Sequence, residues 1–141
     1  MADDEIGAGK LPGSQRRRLI GYIVISILSF VLILTGIPMR VAFLLSRPSF
    51  EQYAAMATAS EHNSGPLERW LGVYFVDRYA ADAGGGVYFR THAGADGIGP
   101  DTMSYGFAFR PNPKRTPFGS ARYRVTHVTG DWYSFSASDD W

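Results

Sequence analysis

Four arginines carry the strongest chemical signal in this sequence of 141 residues. Arg90, Arg110, Arg122 and Arg124 fall in alternating stretches, opposite a Phe, Tyr and Val side. On neighbouring strands, their four guanidinium groups share one sheet surface near Lys114 and Arg115. A guanidinium binds carboxylate or phosphate oxygens in pairs. Such a surface therefore suits an acidic glycan, phospholipid head groups or a carboxylate-rich partner. Tyr88 has the same strand parity as Arg90, and a bare aromatic on a sheet is a platform for stacking a sugar. Tyr88, Arg90, Arg110, Arg122 and Arg124 are thus the candidate ligand-binding set. The competing reading is a solvated face whose charges pair with Asp77, Asp82 and Asp131, since an open sheet face ordinarily carries charge.

Other chemistry is sparse. His62, His92 and His127 lack the short spacing to another His that makes a zinc site legible. His127 alternates with Tyr123 and Val125, which places it toward the core. Asp96 and Asp101 bracket a Gly-rich stretch, but the order of ligands in a calcium loop is missing and Asp and Gly serve turns. Gly97 and Gly99 are not followed by the Lys-Ser/Thr of a phosphate loop. No Gly-x-Ser-x-Gly elbow occurs. Neither a metal nor a cofactor is expected, and a small hydrolase is the catalytic alternative to a non-catalytic module. The sequence contains no Cys, which excludes disulfides, thiolate catalysis and Cys-ligated metals. A formal charge of +1, from 14 Lys and Arg against 13 Asp and Glu, gives no basic signature of nucleic-acid binding.

The elements that must hold these residues begin with a membrane anchor. Leu19 to Met39 is a run of 21 residues without a charge. At a rise of about 1.5 Å per residue it spans about 31 Å, the thickness of a hydrocarbon core. It is longer than the apolar region of a cleavable signal peptide, and no small-x-small cleavage site follows it. A second apolar patch, Val41–Leu45, lies in the interface or completes a tilted span, so residues 19–45 are assigned to the anchor. Lys10, Arg16, Arg17 and Arg18 precede the run, whereas only Arg40 and Arg47 follow it closely. Cations stay cytoplasmic, so residues 1–18 form a cytoplasmic tail and the C-terminal part lies outside. Twelve of the 14 cations are Arg, a bias that fits GC-rich coding and suggests a bacterium. The expected location is then the inner membrane.

Beyond the anchor the composition changes. Residues 48–141 hold 17 of the 20 aromatic residues, too many for a disordered stalk. Ser49-Phe50-Glu51-Gln52 reads as a capping box opening a short amphipathic helix, with Phe50, Tyr53, Ala54, Met56 and Ala57 at helical spacing. That helix is a brace on the following domain or an element at the membrane, within a juxtamembrane segment of residues 46–65. From Leu71 the period becomes two. Tyr105, Phe107 and Phe109 alternate with Gly106, Ala108 and Arg110, and Thr129-Gly130 makes a tight turn into Trp132. Residues 66–141 are expected to form an all-β domain of about five antiparallel strands in meander order, with Phe107 and Trp132 in its core. Residues 60–141 are expected to fold without the anchor.

The combined expectation is a single-pass envelope protein with one transmembrane helix, one short amphipathic helix and an extracytoplasmic β domain. Its partners are the lipid bilayer, through residues 19–45, and an envelope protein. Its role is that of a non-catalytic interaction or accessory module, with acidic-ligand binding as the alternative.

Overall fold

A computed structural model describes residues 13–35, 37–59, 63–95 and 101–139. The chain divides after Pro38 into two compact units. Two helices, α1 (Gly13–Thr35) and α2 (Ile37–Ala59), precede six strands: β1 (Ser64–Leu71), β2 (Tyr74–Ala81), β3 (Val87–Ala95), β4 (Thr102–Phe109), β5 (Ala121–Thr129) and β6 (Trp132–Ser138).

α1 has the mean hydropathy of a membrane helix, 2.2 over its most apolar window, and none of its residues is buried. It is the one helix among the described residues long and apolar enough to cross a membrane. At its end the Thr35 hydroxyl lies 2.9 Å from the Val31 carbonyl and 3.1 Å from the Leu32 carbonyl, either of which can take its one proton.

The second unit is a six-stranded antiparallel sheet with the order β1-β2-β3-β4-β6-β5 and α2 on one face. Phe43, Phe50, Ala54 and Ala57 of α2 are buried against Leu71, Val76, Val87, Phe89, Phe107 and Trp132. Phe50 sits at the centre, edge-on to Phe89, Phe107 and Trp132 at 5.3, 5.6 and 5.8 Å between ring centroids. Such crossed rings add to the burial of large apolar surfaces. The opposite face carries a smaller cluster of Tyr88, Ala108 and Phe135, covered by Phe118 from the loop between β4 and β5 and extended by Tyr123 and Val125.

Three sequence expectations change. There are six strands rather than five, because β1 ends at Leu71, the point from which the period of two begins in the sequence. Its alternation is broken by a bulge between Pro66 and Arg69, with Glu68 at φ 45°, so no period of two is visible. The order is not a meander, since β6 lies between β4 and β5. β6 buries Trp132, Phe135, Ala137 and Ser138, whereas β5 alternates exposed Arg122, Arg124 and Thr126 with half-buried residues. The apolar strand takes the interior place and the charged one the edge. α2 begins at Ile37, twelve residues before the apparent capping box, and Pro48 lies inside it. A helical proline leaves the carbonyl four residues earlier unbonded. That residue is the exposed Leu44. Residues 41–45, which extend the apolar run, thus lie in α2, and Phe43 among them is fully buried under the sheet.

The bulges recur at the other edge. β5 loses register between Ala121 and Arg124, with Arg122 at φ 49°, and again between His127 and Thr129.

Candidate functional site

Tyr88 is completely buried rather than displayed on a face. It sits opposite Ala108 on β4, beneath the 110–120 loop. Its hydroxyl accepts the Asn112 backbone N–H at 2.7 Å. It stands 3.1 Å from Asp82 Oδ2 and 3.4 Å from the Arg115 carbonyl, either of which can take its one proton. Asp82 also accepts the N–H groups of Gly84 and Gly86 through Oδ1, at 2.8 and 2.9 Å. Tyr123 completes the latch by donating to the Asn112 carbonyl at 2.7 Å. Burial raises the pKa of both phenols above the ordinary tyrosine value; at Tyr88 the neighbouring Tyr123 and Asp82 add to the rise. Both stay neutral at physiological pH and act as fixed hydrogen-bonding groups. A stacked sugar has no access to Tyr88.

The four arginines do not share one surface. Arg90 lies on the Tyr88 face of β3 and grips Asp77 with two nitrogens, Nε–Oδ1 at 3.0 Å and a terminal nitrogen to Oδ2 at 2.7 Å. Its guanidinium also lies 5.5 Å from the centre of the Phe118 ring. Arg110 follows the end of β4 at φ 47°, pairs with Asp131 at 2.7 Å and covers the Phe109 ring. Asp77 and Asp131 are two of the acids that the solvated-face reading named as partners. Arg122 occupies the edge bulge of β5. Arg124 belongs to the other face. There it borders a groove of about 340 Å³ with Met39, Tyr74, Tyr105, Phe107 and Ser136. The cause is the facing of β5, whose Tyr123 and Val125 turn toward the Tyr88 cluster, so that Arg124 between them points the other way.

His127 is exposed rather than turned to the core, with Nε2 3.0 Å from the Gly130 carbonyl oxygen and its ring edge-on to Tyr133. His92 stacks on Tyr105 near the opposite end of the sheet. Among the described residues no three His, Cys, Asp or Glu side chains gather closely enough to hold a metal. His62 and Asp96 to Pro100 lie outside the described residues.

The features that sequence reasoning missed are apolar. Trp70 and Phe75 face each other across β1 and β2, rings 5.6 Å apart, and remain 65% and 40% exposed. Val73, in the turn between them, is 54% exposed. Val73-Tyr74-Phe75-Val76 reads as a buried apolar run, yet only Val76 is fully buried. The nearby Gly72 turn was the available signal that this stretch is a hairpin tip. No family model matches this sequence, and no curated protein or solved structure is similar to it.

Proposed function

We propose that this chain is a single-pass protein of the bacterial inner membrane that holds its sheet unit outside the cytoplasm as a non-catalytic interaction module. The observation that carries this reading is α1. Twenty-three residues form a helix with no buried residue, and Ile23, Phe30, Ile33 and Leu34 are all at least half exposed. A helix apolar all round needs an apolar surrounding, and a bilayer supplies one. Lys10 and the Arg16–Arg18 of the first turns of α1 precede the apolar run, against Arg40 and Arg47 after it, and favour a cytoplasmic N-terminus.

The chemistry of the sheet unit supports binding over catalysis. Among the described residues, burial raises the pKa of Tyr74, Tyr88 and Tyr123, which favours the neutral phenol. Arg90 and Arg110 already have carboxylate partners. α2 starts beside the β1–β2 turn, where Tyr74 Oη donates to the Met39 carbonyl at 3.3 Å. The 82–86 turn, the start of the 110–120 loop and the Gly130 turn gather at the other end of the strands, and the loop then crosses the Tyr88 face to reach Ala121, opposite Ser138. That end, with exposed Lys114 and Arg115, is the surface offered to a partner.

Fusing alkaline phosphatase or GFP to the C-terminus tests the topology. An active phosphatase and a dark GFP are expected; the reverse pattern overturns the orientation. A photo-crosslinker at position 114 of the full chain in intact cells is expected to capture one defined partner. A smear no different from that of a crosslinker at position 56 on α2 overturns the interaction surface.

A further inference from the structure

Apolar side chains crowd one end of the sheet unit without a cover. Val41, Leu44 and Leu45 on the outer side of α2 are 50%, 50% and 73% exposed. At the same end, on the face of the sheet away from α2, the β1–β2 hairpin displays Trp70 and Phe75, with Val73 in its turn. The two segments are locked together. The Val73 N–H donates to Ser46 Oγ at 3.0 Å, and Ser46 in turn donates to the Ala42 carbonyl. Gly72 makes the approach possible: it has φ 65°, and a Cβ there would come within 2.4 Å of Ser46 Oγ. An exposed Trp at a hairpin tip has a clear cost in water, since large apolar groups gain by leaving it.

The covalent tether says what covers this end. Met39 follows Thr35, the last residue of α1, by four positions. Four residues reach no more than about 14 Å when fully extended. A spanning α1 therefore holds the start of α2 within the head-group layer or just above it. Trp is the side chain best suited to that layer, with an apolar body and a polar N–H. Exposed Arg40 adjoins the apolar groups of α2, at a place where an anionic head group would lie, while Arg69 is held by the Tyr53 hydroxyl and ring.

We infer that the β1–β2 hairpin tip, with Trp70, Val73 and Phe75, and the outer side of the first turns of α2 insert into the membrane interface, making a second lipid contact besides the spanning helix. The inference rests on the spanning role proposed for α1. Its occupant is the bilayer surface, entered by three side chains from the hairpin and three from the helix. Lipid contact at both segments fixes the tilt of the sheet unit against the bilayer.

Because the sequence lacks Cys, single substitutions report on single sites. The full chain is reconstituted in vesicles of phosphatidylcholine and phosphatidylglycerol, with a spin label at Ile27→Cys, Leu44→Cys, Val73→Cys or Lys114→Cys. Collisions with oxygen, which enters lipid, and with a water-soluble nickel chelate are compared. Oxygen is expected to dominate at 27, 44 and 73, and the nickel chelate at 114. Nickel access at 73 or 44 with oxygen at 27 overturns the interface contact and leaves the span standing. Exclusion of both reagents at 73 marks a protein cover, a second copy included, and also overturns it. Nickel access at 27 removes the span, and the inference falls with it.

Discussion

Replacing Tyr88 by Phe removes one oxygen from beneath the 110–120 loop and leaves the ring in place. The Asn112 N–H loses its acceptor and Asp82 Oδ2 loses a donor. A buried group left unpaired costs about 1–3 kcal/mol. The unfolding free energy of the variant is expected to fall by that amount, read as a lower urea midpoint with little change in slope, and the far-ultraviolet spectrum to stay the same. An unchanged midpoint would show that the latch contributes nothing. The pH dependence separates the phenol from simple packing. Burial raises the folded pKa of Tyr88 above its unfolded value near 10, so the folded state favours the neutral form. That contribution is fully present below about pH 10 and is lost as pH rises above it, when the unfolded phenol ionises first. The gap in stability between wild type and Tyr88→Phe is therefore expected to narrow in strong alkali. Tyr123, shifted in the same direction, gives both proteins a shared alkaline decline.

At the scale of elements, α2 decides whether the sheet has a core. Phe43 and Phe50 are fully buried, and each meets Trp132 and Phe107. Either residue changed to Ala is expected to lower stability by about 3–5 kcal/mol, as large aromatic deletions do. The exposed Leu45→Ala, on the same helix, should shift the thermal midpoint little. Equal effects at 43 and 45 would mean that α2 does not pack as described. Much of this arrangement was legible in the sequence. Phe50, Ala54 and Ala57 at helical spacing gave the buried side of the second half of α2, and alternation gave β4 and the β5–β6 hairpin. The start of α2 was not legible, because Pro48 and Ser49 imitate a helix boundary while packing of Phe43 carries the helix through it. β1 was hidden by its own bulge. The exchange of β5 and β6 was hidden because the preference for an interior place depends on which strand buries Trp132 and Phe135. At the candidate site, the carboxylate partners of Arg90 and Arg110 could be named from charge alone. The burial of Tyr88 could not, since its cover is a proline-rich loop with no period.

For the whole molecule, the division after Pro38 sets where the chain can be cut. Residues 39–141 contain both helix and sheet sides of the main core and are expected to unfold in one cooperative step. Residues 60–141 lack α2 and leave Val76, Val87, Phe89, Phe107 and Trp132 facing water. Contrary to the expectation from sequence, this shorter piece should aggregate or lose its near-ultraviolet spectrum. Size-exclusion chromatography with circular dichroism distinguishes the two, and a monomeric, tightly folded 60–141 would refute the role given to α2. The broken register of β1 and β5 bears on how such molecules live together. If α1 spans a bilayer as proposed, copies share a plane, where neighbours collide far more often than in free solution. Uninterrupted outer strands would let each copy zip onto the next and grow a ribbon along the surface. With the ladder turned aside at Glu68 and at Arg122, the two outer strands offer no continuous template for such growth.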